Sequence, residues 1–539
     1  MTKQCDGARE IVSRAFARTR NSGTTRGTLG PTIFPVPPFP GGCHMTEPVH
    51  TRALIIGTGF SGLGMGIALK KQGVDFLILE KADEVGGTWR DNTYPGAACD
   101  VPSHLYSFSF APKPDWGYVF SYQPEILDYL KDVADRHGLR RNIVFGRTVV
   151  RAHWDDAEYR WHVFTDSGEE YVAQFLISGA GALHIPSLPD IPGLNEFAGP
   201  VFHTAQWDHS VDLTGKKVAV IGTGASAIQV VPEMVKVASQ VQLYQRTAAW
   251  IKPRINFAFP DGLKRAFRFV PGLRKAWRAV TYTTMDSRAI ALAKRPELMN
   301  VAAWMYKANM RRYVKDPELR RKLTPHYKPG CKRILISDNF YQAVADPKTE
   351  VITDGIERVT STGIVTVDGT ERDVDAIVCA TGFHVTDWYT YLEIKGAGGE
   401  DLGDRWNREG VMAHRGITVA DVPNLFLLLG PNTGLGHNSV VFMIEAQIGY
   451  VADAIAAADK AGAAALAPTR SAQDRFNTEL QDDLSTTVWH TGGCKSWYLD
   501  SHGVNRSLWS GLASEYWLAT REFKPSEYKF FGVGLPVAV

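Results

Sequence analysis

Two stretches of the chain repeat one pattern of apolar and polar positions. Residues 51–56 form a short run rich in Ala, Leu and Ile, which reads as a buried parallel strand. Gly57, Thr58, Gly59, Phe60, Ser61 and Gly62 follow, and a helical pattern then runs to about Gln72, with Gly73 as a C-cap. Residues 75–80 give the next strand, which ends on Glu80. The second stretch starts at residues 217–221 and continues through Gly222, Thr223, Gly224, Ala225, Ser226 and Ala227. A helix to about Ala238 and a strand over 241–246 complete it. Each unit is a βαβ dinucleotide fingerprint in its required context. The glycines let the backbone approach a pyrophosphate at the helix N-terminus.

The two units end differently. Glu80 closes the first, where a carboxylate accepts ribose hydroxyls; Arg246 closes the second, where a planar cation can pair with a 2′-phosphate. The first unit therefore suits FAD and the second NADPH. Residues 375–380 and 425–429 read as strands returning to the first unit, the latter followed by a helix from about Asn438 whose positive end can face a flavin. The expected fold is α/β, with two Rossmann-like dinucleotide-binding domains, the NADP domain being inserted in the FAD domain and carrying a helical insertion. The boundaries are a first FAD part over 46–182, the NADP domain over 183–374 with helices at about 250–325, and a second FAD part with the C-terminal region over 375–539. Arg265, Arg268, Arg274, Lys275 and Arg278 in the insertion read as a solvated helix face.

Residues 1–45 break the pattern. Arginines interleave with Ser, Thr and Gly, then prolines cluster over 31–40 with no apolar h-region. This segment is expected to be a disordered tail, with Met45 as a possible functional start. Net charge is +2, which gives no reason to expect a nucleic-acid partner. No run of consecutive apolar residues is long enough to cross a bilayer. Cys5, Cys43, Cys99, Cys331, Cys379 and Cys494 are scattered without C-x-x-C spacing, so reduced thiols and a cytoplasmic setting are expected, with no zinc site or dithiol centre.

Two further motifs are more specific than either glycine turn. Gly86, Gly87, Thr88, Trp89, Arg90 and the residues on to Asp100 resemble the flavin-side fingerprint of type I Baeyer–Villiger monooxygenases. Phe197, Gly199, His203, Trp207 and Asp208 are similar to that family's second fingerprint and lie between the two dinucleotide motifs, as they do there. The resemblance implies roles by position. Ser61 and Glu80 would bind FAD pyrophosphate and ribose. Thr88 and Trp89 would lie beside the flavin, with Asp100 and Tyr106 near its ring system. Thr223 to Ala227 would cradle the NADPH pyrophosphate, and Arg246, Thr247 and Lys332 would hold the 2′-phosphate. Arg333 would stand over the flavin, and His203 and Trp207 would couple the domains. His384 departs from the family, where an acid is common.

The resemblance further implies an NADPH-consuming enzyme that inserts one atom of O2 beside a ketone carbonyl through a C4a-peroxyflavin, giving an ester or lactone. A fixed cation is needed for the negative oxygens of such a reaction, and Arg333, oriented by Asp100, suits it because arginine does not deprotonate. The alternative is an N- or S-monooxygenase acting on soft nucleophiles. A disulfide reductase shares the two-domain plan but needs the C-x-x-C this chain lacks. The expected partners are a small ketone and O2.

Overall fold

The computed structural model describes residues 47–534 apart from 386 and 501; the expected tail lies outside them. Two sheets organise the chain, the first mixed and the second parallel. In the first, Val49–Ile56 lies between Phe76–Glu80 and Glu170–Ser178, parallel to both. Ile143–Phe145 extends it on one side; the antiparallel strands Arg160–Thr165 and Val149–Asp155 extend it on the other. Val422–Leu427 returns to this sheet beside Glu170–Ser178, as expected for residues 425–429. Helix Phe60–Gln72 ends on Gly73 in the left-handed region, with φ 72°.

The second sheet is wholly parallel, in the order Thr349–Ile352, Gln240–Tyr244, Lys217–Ile221, Ala376–Cys379, Val201–His203. This corrects one expectation. Residues 375–380 do not return to the first sheet; Ala376–Cys379 pairs with Lys217–Ile221 and Val201–His203. An all-apolar four-residue strand fits the centre of either sheet, so its own pattern does not name its neighbour. The chain rejoins the first sheet at Glu393–Lys395, beside Val149–Asp155.

The insertion is helical, with Asp261–Phe269, Leu273–Asp286, Met299–Tyr313 and Pro317–Lys322. Arg278 departs from the solvated face expected of it. Its Nη1 donates to the carbonyls of His104 (2.6 Å) and Ser107 (2.9 Å). Helix Leu273–Asp286 lays Trp277 against Phe259 and Phe267, which turns that side of the helix inward.

Helix Val440–Ala461 is long and apolar enough to cross a membrane by length and composition. It includes Glu445, Gln447 and Asp453 and packs on Phe60–Gln72 in the first core, with Val441, Ile444, Val451 and Ile455 buried. It is the core helix of this fold.

Cys331 and Cys494 form a disulfide across a sequence separation of 163 residues, against the expectation of reduced thiols throughout; Cys99 and Cys379 are free and buried. Cys5 and Cys43 lie outside the described residues. Spacing along the chain carries no information about a pair brought together by two distant loops.

Three histidines are buried with their ring pKa values pushed down to about 4: His104 by burial and then by Arg274 and Arg278, His203 by burial, and His414 by burial and then by Arg415. The unfolded chain takes up these protons near pH 6.5, whereas the folded chain refuses them until about pH 4. The stability these three groups contribute is therefore fully present above pH 6.5 and is lost as pH falls towards 4, by several kcal/mol in all. Thermal unfolding from pH 7.5 to 4.5 should show a steady fall in Tm that is smaller in His203→Gln. A flat profile would contradict these assignments.

Candidate active site

The cofactor turns are built by close backbone approach. A Cβ on Gly62 would lie 1.8 Å from the Gly57 carbonyl oxygen. Gly222 has φ +114°, and a Cβ there would meet the Ala380 carbonyl at 2.4 Å. Helices Phe60–Gln72 and Ala227–Val237 begin at Gly59 and Ser226 with no side-chain cap, so their first N–H groups stay open to an anion.

Both turns open on one cavity of about 1550 Å³. Every residue assigned to a cofactor or to catalysis lines it except Gly62 and Ala227. Gly62 is packed on Gly57, and Ala227 is fully buried in the second core.

Glu80 is 3% exposed and heavily bonded. It accepts from the Thr58 N–H (2.9 Å) and hydroxyl (2.5 Å), from the Ala82 N–H (3.0 Å) and from Arg90 Nη1 (2.8 Å). Burial opposes its charge, but the Thr58 hydroxyl, Arg90 and the two N–H groups outweigh burial and hold its pKa below the usual carboxylate range. Trp89 Nε1 donates to the Tyr106 hydroxyl at 3.1 Å, and Phe60 packs edge-on against Tyr106.

Arg333 projects into the cavity from the loop before strand Leu335–Ile336. Its Nε and Nη2 both reach Asp100 Oδ2, at 2.8 and 2.6 Å, and its Nη1 donates to the Leu435 carbonyl at 3.2 Å. Of the five N–H donors of a guanidinium, two are left for the cavity. The Asp100 carboxylate pushes the Arg333 pKa further up, so the charge is permanent. Lys332 stands over the Tyr327 ring, with Nζ 5.4 Å from its centroid. Burial, and then Arg246, lower the Lys332 pKa.

The loop of Asp100 is held by a side chain the sequence did not single out. Gln229, on helix Ala227–Val237 of the second domain, donates to the Ala98 carbonyl (3.0 Å), and its Oε1 accepts from the Tyr94 hydroxyl (2.9 Å). The helix at the second turn thus latches the loop that carries Asp100.

The description of the flavin-binding monooxygenase-like family matches residues 50–395. A Pseudomonas aeruginosa protein named Baeyer-Villiger monooxygenase is 46% identical over 481 residues, which span 89% of this chain and 91% of that protein. The chain belongs to the Baeyer–Villiger monooxygenase family. Among solved structures of the family, cyclohexanone monooxygenase from Rhodococcus sp. Phi1 bound to NADP+ is similar with a TM-score of 0.82 at 28% identity, over 90% of this chain and 100% of that one. OTEMO in complex with FAD and NADP is similar with a TM-score of 0.81 at 27% identity, over 90% of this chain and 100% of that one.

Against the Baeyer–Villiger pattern, His384 has its acid three residues later: His384 Nδ1 lies 2.8 Å from Asp387 Oδ2. His203 ends the edge strand of the second sheet, 1% exposed, with Nδ1 accepting from the Ala205 N–H and its ring packed against Phe383. Trp207 packs edge-on against Phe202. Sequence reasoning missed Gln229, the Leu435 carbonyl and Tyr498, which is buried beside Arg333. A glutamine, a main-chain oxygen and a tyrosine carry no motif.

Gly62→Ala should destabilise the protein by about 1–3 kcal/mol, because backbone must move to admit the methyl. At Gly59 the nearest atom to a new Cβ is 3.9 Å away. Gly59→Ala should leave the Tm of the FAD-free protein within about 2 °C while lowering FAD retention, since its methyl would enter the pyrophosphate path. Melting curves and flavin absorbance of both variants test this; an equal Tm loss in the two would refute it.

Proposed function

We propose that this enzyme uses NADPH and O2 to convert a ketone to an ester or lactone, with water as the second product and FAD as the bound cofactor. The observation that carries this reading is the Arg333–Asp100 pair on a cavity reached by both dinucleotide turns. Bound flavin supplies hydride acceptance from NADPH and activation of O2. The chain supplies binding, orientation and a fixed field.

Gly57 to Ser61 and the N-terminus of helix Phe60–Gln72 hold the FAD pyrophosphate, and Glu80 faces the ribose. Gly87, Thr88, Trp89 and Tyr106 wall the ring system, and Arg90 braces Glu80. Asn438 and Val440 bring the start of helix Val440–Ala461 to the same cavity. Gly222 to Ser226 bind the NADPH pyrophosphate, and Arg246, Thr247 and Lys332 bind the 2′-phosphate. Arg333 stabilises negative charge that develops on oxygen as the carbonyl is attacked. Asp100 keeps the guanidinium plane in place, so no reorganisation is needed at that moment.

Arg333→Ala should retain FAD and be reduced by NADPH under anaerobic conditions, yet form ester about 10²–10³ times more slowly. Arg333→Lys should also be poor, since an ammonium lacks the planar fork. Stopped-flow reduction, followed by mixing with O2 and a ketone panel and chromatography of products, tests this. Ester at near wild-type rate would remove Arg333 from the chemistry. A sulfide in the same panel tests the N- or S-oxygenating reading: turnover of the sulfide with no ester from any ketone would favour it.

Lys332→Ala should raise KM for NADPH about 10- to 100-fold, the loss of one charge-assisted contact, and leave KM for NADH nearly unchanged. Equal losses with both coenzymes would refute the 2′-phosphate assignment.

A further inference from the structure

Beside the main cavity lies a smaller one of about 590 Å³, shared by Arg246, Lys332 and, from the C-terminal region, Lys495. No Asp or Glu lines it. His326 also lines it, and the other two Lys or Arg residues on its wall are committed elsewhere: Arg321 pairs with Glu318, and Lys322 Nζ donates to the Val351 carbonyl at 3.0 Å. Among the described residues, Arg246, Lys332 and Lys495 have no anionic partner. Three uncompensated cations around one concavity repel one another, and the arrangement is stabilised when a compact polyanion enters.

Lys332 and Lys495 reach this cavity from loops 163 residues apart, and the residue before each is a cysteine of the disulfide. Cys331 precedes Lys332 and Cys494 precedes Lys495, with Cα atoms 6.1 Å apart. No main-chain to main-chain hydrogen bond holds Gly493, Cys494 or Lys495 among the described residues; the flanking ties are the Lys328 N–H to the Gly492 carbonyl at 3.0 Å and the Leu499 N–H to the Ser496 carbonyl at 3.2 Å. Within this three-residue segment the disulfide is the covalent tie to the loop of Lys332.

We infer that Lys495 is a third cation of the 2′-phosphate site, held over the adenosine end of NADPH by the Cys331–Cys494 disulfide, so that the thiol state of this pair sets the preference for NADPH over NADH. This rests on the assignment of Arg246 and Lys332 to the 2′-phosphate. A 2′-phosphate dianion suits three monocations better than two, and NADH brings no such group. Reduction by a dithiol breaks the S–S bond: two electrons and two protons pass to Cys331 and Cys494, and the dithiol closes to its own disulfide. Lys495 is then free to leave the rim.

The test is calorimetric titration of FAD-loaded enzyme with NADP+ and with NAD+, before and after dithiothreitol. Alkylation and intact mass confirm the thiol state, and flavin absorbance and Tm confirm the fold. Lys495→Met should weaken NADP+ about five- to tenfold, less than a buried charge-assisted contact because Lys495 is exposed, and shift NAD+ less than twofold. Reduction, or Cys494→Ser, should weaken NADP+ to a similar degree and add little in the Lys495→Met background. If Lys332→Met weakens NADP+ but Lys495→Met does not, the inference fails and the underlying site stands. If neither variant weakens NADP+, the 2′-phosphate assignment fails with it. Unchanged NADP+ affinity after verified reduction overturns the role of the disulfide.

Discussion

The Arg333–Asp100 ion pair joins the two halves of the molecule at the point where they meet. Asp100 lies on the long loop between helices Thr88–Asp91 and Gln123–Arg136, while Arg333 comes from the region that the second unit brings in. A half-buried arginine needs its charge compensated, and a carboxylate 2.6 Å away does so while leaving two donors facing the cavity. The pair therefore does two things. It links a loop of the first domain to a loop of the second, and it leaves a cation whose orientation is set before any substrate arrives.

That constraint spreads outward through hydrogen bonds. Gln229 reads the backbone of Ala98, so the helix that starts at the second glycine turn and the loop that carries Asp100 move together. The Leu435 carbonyl takes the third Arg333 contact and ties in the segment that leads to helix Val440–Ala461. The site is assembled from four stretches distant in sequence. This lets each cofactor turn keep its local geometry while the shared cavity depends on their docking.

The disulfide adds a covalent constraint one residue from Lys332 and two from Arg333. It bridges the loop with both cations to the C-terminal region that borders the smaller cavity. The electrostatic environment of that cavity is unusual for a protein surface because its wall has basic side chains and no carboxylate.

The sequence by itself determined the local elements whose causes are local. Glycine turns with flanking strands, the acid at Glu80, the base at Arg246, the Gly73 cap and the helical insertion were all legible, because backbone sterics and hydrophobic period act over a few residues. The two fingerprints identified the family and located Asp100 and Trp207. Tertiary structure alone decided which sheet receives Ala376–Cys379, since an apolar strand is compatible with either. It alone turned Arg278 inward, because that depends on where the His104 and Ser107 carbonyls lie. It paired Cys331 with Cys494, made Gln229 the latch on Ala98, and enlisted a carbonyl of Leu435. Each of these is a meeting of groups more than 100 residues apart, set by how the two sheets dock; periodicity and motif spacing encode neighbours along the chain and not partners across it.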